Sequence, residues 1–363
     1  MMQSSQQDRS LPRFKPVGPL SLFLFVVALP LVLGGSALAQ EFVFVTSRLQ
    51  ADPPVGSSGS QLYQNELFLY RNGTQQRLTF TPTESEWDPQ PSPSGRFVAY
   101  VVNDSVIDWM ADSVTEDWQW YLRIMDLESG TVTHEWLLPD SLGRTRYAGG
   151  FDIAWNADEQ SLLAQLPSGD GVGRIASFAL AAAEPEVLTR GIGVHLDYER
   201  GWIATTLNAS VAVVNTLSGE VMTLAPGETL GWVDRQVVSG GDGRLQLIDP
   251  VTSQVTVLDR EAGYYASFSA EPGGDRYAWS RYVPDREETT ITITDSRFNS
   301  RASWTYSDYV DNVQWLDENS LLLTVLLGER MGIIQLDLRS GTEFVLVGSQ
   351  FADDMAAVPL YRD

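Results

Sequence analysis

The sequence contains no cysteine and only two histidines, His134 and His195. Without cysteine the chain cannot form disulfides, thiolate zinc or iron–sulfur sites, or a cysteine nucleophile, and it lacks the acceptor residue of a bacterial lipid anchor. Two histidines are too few for a histidine-rich metal centre. The Gly-x-Ser-x-Gly motif that presents the nucleophile of many serine hydrolases is also missing. These absences favour binding over catalysis, without excluding an enzyme.

Basic residues are scarce as well. The chain has 24 lysine and arginine residues against 47 aspartate and glutamate residues, which gives a formal net charge of -23, and Lys15 is its only lysine. Because nucleic-acid binding needs a cationic surface, a nucleic-acid partner is excluded. This strongly acidic, arginine-only composition is typical of a high-GC bacterium, and a saline habitat is one explanation of it.

Residues 1–39 have the pattern of an export signal. Three basic residues between Arg9 and Lys15 precede the apolar run Leu20–Leu33, and Ala37–Ala39 forms a small-x-small cleavage site. The pattern predicts cleavage before Gln40 and a periplasmic or extracellular mature domain at 40–363. An uncleaved N-terminal anchor is the alternative. No later stretch reaches the length of a membrane span.

The rest of the chain consists of short segments with the alternating pattern of β-strands, and none resembles a long amphipathic helix. One such segment, ending in a turn, recurs seven times at a period of about 40 residues, the spacing of propeller blades. Its copies are Asn65–Gly73, Trp120–Gly130, Gly173–Ala182, Ala209–Gly219, Gly243–Ser253, Thr289–Asn299 and Met331–Gly341. The pattern predicts an all-β fold made of repeated units.

Four short antiparallel strands per unit, repeated radially, predict a single β-propeller. The first strand of a unit is identified in only six places. We expect the segment Ala356–Leu360 to supply the missing strand by completing the unit that begins with Glu41–Arg48. This closure would remove an exposed sheet edge. Seven blades are therefore favoured, with six or eight as alternatives.

The segment from Glu86 to Tyr100, EWDPQPSPSGRFVAY, resembles the blade motif of TolB-like, WD-like propellers. In that family Asp and Pro precede a Trp-Ser-Pro-Asp-Gly turn and an apolar strand. Here Pro91 stands where the family usually has Trp, and Ser94 where it has Asp. The resemblance implies a propeller of this kind, and it concerns blade construction rather than function.

A short polar residue ends the recurring strand in five units. These residues are Asp126, Asn215, Asp249, Asp295 and Asp337. Because such a side chain can accept hydrogen bonds from the backbone of the turn that follows it, we interpret all five as structural rather than catalytic.

The connections predict two unlike propeller faces. Turns after the first and third strands of each unit are short, whereas the opposite face carries the long connections, including the insertion Asn103–Gln119. This insertion holds the candidate ligand-binding residues, which are Asp108, Trp109, Asp112, Asp117 and Trp118. Acids beside tryptophans suit a cation, a basic peptide or a sugar ring. A solvated loop covering the propeller rim is the alternative interpretation.

No cofactor is indicated, although a calcium site built from scattered carboxylate and carbonyl oxygens stays open. The sequence thus predicts an exported, monomeric binding or scaffold propeller that recognises a protein, a peptide or an envelope polymer on its long-loop face. The alternative is an exported hydrolase or lyase, directed at polysaccharide or peptide, that uses carboxylates in the propeller funnel.

Overall fold

A computed structural model describes residues 41–49, 63–81, 84–103, 119–138, 151–166, 173–197, 199–241, 243–327, 330–348 and 355–360. These residues belong to one compact unit, Leu38–Asp363. They form 28 strands in seven four-stranded antiparallel sheets. The predicted all-β propeller and the favoured number of seven blades are both confirmed.

The strands are given blade by blade, from the innermost strand outward. Blade 1 comprises β28 (Met355–Pro359), β1 (Glu41–Leu49), β2 (Tyr63–Arg71) and β3 (Thr74–Arg77). Blade 2 comprises β4 (Ser85–Pro91), β5 (Phe97–Asn103), β6 (Trp120–Asp126) and β7 (Thr131–Leu137). Blade 3 comprises β8 (Ile153–Trp155), β9 (Ser161–Leu166), β10 (Arg174–Ala179) and β11 (Glu186–Arg190).

Blade 4 comprises β12 (Ile192–Asp197), β13 (Trp202–Leu207), β14 (Ser210–Asn215) and β15 (Val221–Pro226). Blade 5 comprises β16 (Glu228–Val233), β17 (Gln236–Gly241), β18 (Arg244–Ile248) and β19 (Val255–Asp259). Blade 6 comprises β20 (Tyr264–Ala270), β21 (Arg276–Val283), β22 (Glu288–Asp295) and β23 (Ser300–Tyr306), with a 3-10 turn at Pro284–Arg286. Blade 7 comprises β24 (Val310–Asp317), β25 (Ser320–Leu327), β26 (Arg330–Asp337) and β27 (Glu343–Gly348).

The ring closes within blade 1. Strand β28 pairs antiparallel with β1, from Phe42 opposite Pro359 to Thr46 opposite Met355. The Leu360 amide extends the ladder by donating to the Glu41 carbonyl at 2.9 Å. The innermost strands of successive blades touch in order around the ring, including β24 with β28 and β28 with β4. The predicted closure by the C-terminal strand is confirmed.

The core is divided among the seams between blades. In the described part of the chain, seven clusters of buried apolar side chains each draw on two successive blades. This follows from period-2 alternation, since each strand presents one row of side chains to the preceding blade and the other to the following blade. At the closing seam, Phe42 stacks on Tyr70 at 4.6 Å and Phe44 on Phe68 at 5.1 Å.

Three tryptophans, each on the innermost strand of its blade, hydrogen-bond that blade to the preceding one. Each donates its indole N–H to a backbone carbonyl of the preceding innermost strand. The pairs are Trp155 to Gln90 at 3.0 Å, Trp232 to His195 at 2.8 Å and Trp315 to Ser269 at 3.1 Å. Because indole combines a large apolar body with one donor, it fills a seam without leaving a buried polar group unpaired. Blades 3, 5 and 7 thus share one device.

The five polar residues that end recurring strands have the structural role predicted for them. Each accepts two backbone N–H bonds, at 2.7 to 3.1 Å, from the turn that follows it. These bonds, preceded at Asp337 by the larger effect of the Ser340 hydroxyl bond, stabilise the charged form and lower the pKa values of the four aspartates, that of Asp295 to about 2. The turns hold these carboxylates ionised.

The two faces differ as the connections predicted. The tight-turn face holds the connections between the first and second and the third and fourth strands, all short. The long-loop face holds the others, including those from β1 to β2, from β5 to β6 and from β7 to β8. The sequence pattern did not identify β17, because its turn, Asp234–Arg235, has neither Gly nor Asn at two positions with positive φ.

Candidate functional site

The predicted ligand-binding residues of the insertion, Asp108, Trp109, Asp112, Asp117 and Trp118, lie outside the described residues. Their role therefore stays a prediction. The strand ends on either side of them are described. Strand β5 ends at the buried Asn103, and β6 begins at Trp120, whose ring lies 4.9 Å from that of Phe151 in blade 3. The insertion thus departs from the long-loop face beside the seam between blades 2 and 3.

A charged network lies at the base of this insertion. The Arg123 guanidinium donates to both carboxylate oxygens of Glu84, at 2.6 and 2.9 Å, and to Glu135 at 2.7 Å. Burial opposes the charge of Arg123, yet these hydrogen bonds raise its pKa. Burial also raises the pKa of the neighbouring Tyr100 phenol. Two carboxylates therefore hold one arginine in a fixed position below the insertion.

The Glu86 carboxyl group lies next to this network and is fully buried. The Thr81 hydroxyl donates to its Oε1 at 3.0 Å. Burial raises the pKa of Glu86 to about 8, and the nearby carboxylates of Glu66 and Glu84 act in the same direction. Glu66 itself forms an ion pair with Arg77. Glu86 is thus a neutral carboxylic acid at pH 7 and a part of the seam between blades 1 and 2.

At the channel mouth on the long-loop face, an exposed residue lies within one position of the start of each innermost strand in blades 3 to 7. These channel-mouth residues are Asp152, Ile192, Glu228, Tyr264 and Asp311. Three of the five are carboxylates and none is basic. Because they occupy equivalent positions on neighbouring inner strands, their negative charges converge on the same opening.

Tyrosines join the carboxylates at this mouth. The Tyr264 hydroxyl donates to Glu228 at 3.1 Å, and Tyr309 hydrogen-bonds to Asp311. Desolvation by the surrounding channel wall raises the pKa of Asp311. Desolvation also raises the phenol pKa values of Tyr264 and Tyr309, and the neighbouring carboxylates add to both shifts. The mouth therefore has a negative potential that disfavours further ionisation and attracts cations.

Asp152 and His195 face each other across the channel wall. A Cβ atom on Gly193 would lie 3.5 Å from His195 Nε2 and 3.8 Å from Asp152 Oδ2, so the glycine leaves the space before both groups open. His195 also hydrogen-bonds to the backbone of Thr229 in blade 5. Desolvation raises the pKa of Asp152 and lowers that of His195, and the opposite charge of each partner opposes the shift.

Metal-ligating side chains do not converge in the described part of the chain: no group of three or more His, Asp or Glu residues there could hold an ion. The open question of calcium stays a prediction. Within the same residues, no helix is long and apolar enough to cross a membrane.

Sequence reasoning did not identify the channel-mouth residues. Their common feature is their position, since each stands within one residue of the start of a first strand. Aligning the first strands on Trp155, Trp232 and Trp315 places Glu228 and Asp311 four residues before the tryptophan and Asp152 three residues before it. In the sequence, His195 is one of two isolated histidines. Its proximity to Asp152 arises only because blades 3 and 4 are neighbours in the fold.

The fold defines the protein as a seven-bladed β-propeller, and comparisons with known proteins agree. No protein-family model matches the sequence, and no curated protein sequence matches it either. Among solved structures it is similar to a prolyl endopeptidase, with a TM-score of 0.57 and 12% identity over 85% of this chain and 50% of that one. A chain of the mitotic checkpoint complex gives a TM-score of 0.54 and 14% identity over 73% of this chain and 81% of that one.

TolB from Acinetobacter baumannii is also similar, with a TM-score of 0.46 and 15% identity over 74% of this chain and 64% of that one. The seven four-stranded blades confirm the resemblance to TolB-like, WD-like propellers as a resemblance of fold. The chain spans about half the length of the prolyl endopeptidase that it matches. At these identities the likeness concerns the fold alone, so function has to be argued from the site.

Proposed function

We propose that the protein is an exported, monomeric binding or scaffold propeller that recognises a protein, a peptide or an envelope polymer on its long-loop face. The observation that carries the proposal is the channel mouth, where Asp152, Glu228 and Asp311 are exposed on neighbouring inner strands beside tyrosines. Long connections on a rigid scaffold are where binding residues concentrate.

The chemistry of the mouth favours a basic segment of the partner. The negative potential attracts guanidinium and ammonium groups, and tyrosine rings add cation–π contacts. Asp108, Asp112 and Asp117 of the insertion would extend the same acidic surface. Trp109 and Trp118 would add stacking surface for the partner.

The first test uses a fluorescent hexa-arginine peptide and measures its anisotropy at increasing salt. We expect salt-dependent binding that weakens by about tenfold or more in the triple variant Asp152→Asn, Glu228→Gln, Asp311→Asn. The matched control neutralises three exposed carboxylates of the tight-turn face, Glu128→Gln, Asp158→Asn and Asp275→Asn, and should bind as wild type does. An equal loss of hexa-arginine affinity in both triple variants would mean that net charge alone causes the effect. This result would contradict binding at the long-loop face.

The second test separates the ligand classes on the insertion. Trp109→Ala with Trp118→Ala should weaken any ligand that stacks there and should leave the melting temperature nearly unchanged. Asp108→Asn, Asp112→Asn and Asp117→Asn together should weaken the hexa-arginine peptide and leave a neutral polysaccharide unaffected. Unchanged binding of both ligands in all five substitutions would remove the insertion from the site.

Export is tested by mass spectrometry of protein recovered from the periplasm or the medium. We expect a mature N-terminus at Gln40 or Glu41. Full-length protein found only in the cytosol would contradict this part of the proposal.

The alternative function, a hydrolase or lyase, is favoured by one observation. Asp152 and His195 lie together at the channel wall, and a carboxyl group with a raised pKa is the kind that can act as a general acid. Release of product from polysaccharide or peptide substrates that is lost in Asp152→Asn and in His195→Gln would replace the binding proposal with this one.

A further inference from the structure

A cavity of about 480 Å³ opens on the tight-turn face, between blades 4 and 5. Its walls come from the ends of the two innermost strands, β12 and β16, and from the turns that follow them. The lining residues are Leu196, Asp197, Glu199, Trp232, Asp234 and Arg235. This volume falls within the range of small-molecule sites. The cavity lies opposite the long-loop face, so it belongs to a different site.

Trp232 differs from its two equivalents in other blades. Trp155 and Trp315 make the same indole-to-carbonyl bond, and their exposed fractions are 1% and 0%. Trp232 makes that bond at 2.8 Å but is only partly buried and lines the cavity. Its ring is therefore held in place as firmly as theirs while part of its surface stays open to a ligand.

The seam between blades 6 and 7 has the same contacts between a tryptophan and an arginine, but its tryptophan is fully buried. These contacts alone therefore do not create a cavity. There Arg276 lies over the ring of Trp315 at 4.8 Å, is paired with Glu271 and donates to the Glu318 carbonyl. In the seam between blades 4 and 5 an arginine makes the same set of contacts. Arg200 lies 5.1 Å from the Trp232 ring, binds Asp197 at 2.5 Å and donates to the Arg235 carbonyl at 2.8 Å. One seam is closed over its tryptophan, and the other is open.

The charges around the cavity are nearly balanced. Asp197 is paired with Arg200, and Glu199 is paired with Arg235 at 3.0 Å on the exposed rim. Among the described residues none hydrogen-bonds to the Asp234 carboxylate, so its two oxygens can accept hydrogen bonds from a ligand. The Arg235 guanidinium has donors beyond the one given to Glu199. The site therefore combines acceptors, donors and an indole surface without a strong net charge.

This combination fits a neutral polyhydroxylated ring better than a cation. A cation would be repelled by Arg235 on the rim and by the nearby Arg200, whose guanidinium lies 4.4 Å from the Trp202 ring and 5.1 Å from the Trp232 ring. A sugar ring has an apolar face for the indole, together with hydroxyl groups that donate to Asp234 and accept from Arg235. We propose that this cavity is a carbohydrate-binding site in which a neutral sugar ring stacks on Trp232 and hydrogen-bonds to Asp234 and Arg235.

The test titrates the mature protein with glucose, N-acetylglucosamine, maltotriose and chitotriose by calorimetry and by saturation-transfer NMR. We expect at least one of these sugars to bind, and Trp232→Ala to weaken it by about tenfold or more. Trp232→Phe should retain part of the affinity, because a smaller aromatic surface remains. Asp234→Gly and Arg235→Gly should each weaken binding several-fold. Glycine suits the φ values of 44° and 70° at these positions, so the turn itself should persist.

The matched control is Asp275→Gly, which removes an exposed carboxylate from the equivalent turn of blade 6 and should leave sugar binding unchanged. If Trp232→Ala does not fold, the two glycine variants decide the question. Absence of binding by all four sugars would overturn the inference, as would sugar binding that these variants leave intact. Preferential binding of hexa-arginine at this cavity would overturn it in favour of a cation site. The inference is independent of the long-loop site, because the triple variant Asp152→Asn, Glu228→Gln, Asp311→Asn should still bind sugar.

Discussion

Carboxylates occur on both faces of the propeller, but their surroundings differ. On the tight-turn face, the aspartates that end recurring strands each accept backbone N–H bonds, and their pKa values are lowered. On the long-loop side, desolvation raises the pKa values of Glu86, Asp152 and Asp311, although the side chains of Asp152 and Asp311 stay accessible at the channel mouth. The same chemical group is thus held charged at one end of the blades and pushed toward neutrality at the other.

Local geometry explains the difference. A tight turn directs two free amides at one side chain, so the backbone itself supplies the compensation for charge. At the channel mouth the backbone amides are used in strand ladders, and the carboxylates have tyrosine hydroxyls as neighbours or, for Asp152, the His195 ring. Carboxylates whose charge is not stabilised by backbone N–H groups are candidates for a functional role, whereas those that accept such bonds stabilise the turns.

The largest expected effect comes from opening the ring, on which both faces depend. Deleting residues 351–363 removes β28, so the backbone groups of β1 along Phe42–Thr46 lose their partners and an apolar sheet edge is exposed. We expect aggregation, or a melting temperature lower by more than about 10 °C. Deleting only residues 361–363 is the control and should change little. Unchanged monomeric behaviour of the longer deletion would contradict the closure.

The next effect compares an arginine of each face. Arg123→Met removes the cation from the mostly buried Glu84 and from the exposed Glu135, and we expect a loss of about 2–4 kcal/mol in the free energy of unfolding. Arg301→Met removes the exposed partner of Asp295 on the tight-turn side and should change stability little. Urea denaturation measures both. Similar losses in the two variants would show that the faces do not differ in this respect.

The raised pKa of Glu86 predicts that the free energy of unfolding depends on pH, with a smaller effect than that of Arg123→Met. Its pKa is about 8 in the folded protein and near its ordinary value of 4.5 in the unfolded chain. The folded state therefore holds the extra proton between these values, and stability is lost as the pH rises through about 8. Between pH 6 and 9 this loss should amount to about 2–3 kcal/mol, or a few degrees in melting temperature.

The variant Glu86→Gln should lack this part of the pH dependence, and Glu128→Gln, in an exposed turn, should keep it. Thermal melts of the three proteins across the pH range provide the measurement. A wild-type slope identical to that of Glu86→Gln would mean that Glu86 ionises normally in the folded state.

The smallest effect concerns a turn aspartate. Asp249→Ala removes the acceptor for the Val251 and Thr252 amides and should lower the melting temperature at pH 7. Asp249→Asn should lower it less, because Asn215 fills the same role in blade 4. The pKa of Asp249 is lowered in the folded state, so the stability due to its charge is present above its ordinary pKa of 3.8 and is lost as the pH falls below it. The gap between wild type and Asp249→Asn should therefore narrow in acid.

The repeats predicted the fold because each blade carries its own strand and turn pattern. The role of the recurring Asp or Asn as a hydrogen-bond acceptor for the turn was predictable, because the residue and its donors are only two to four positions apart. Even the closing strand was found, from the mismatch between six first strands and seven later ones. Strand β17 escaped because Asp234–Arg235 is an unusual sequence for a two-residue turn.

The candidate sites could not be predicted in the same way, because they form between blades. Asp152 and His195 belong to different repeats, and so do the Asp234 carboxylate and its neighbour Asp197. Glu66, across the seam in blade 1, adds to the raised pKa of Glu86, and Thr81, in the connection before β4, hydrogen-bonds to its carboxyl group. The motif EWDP, which begins at Glu86, predicted a propeller blade, but nothing in it indicated that the pKa of Glu86 is raised.

Pairing β28 with β1 also sets the order in which the chain can fold. The two strands are separated by almost the whole domain, so the ribosome releases β1 long before β28 has been synthesised. During that interval blade 1 has three strands and an open, apolar edge. Contacts of such long sequence separation slow folding. The ring can close only after β28 has been synthesised, and until then blade 1 keeps an open edge that can pair with other chains.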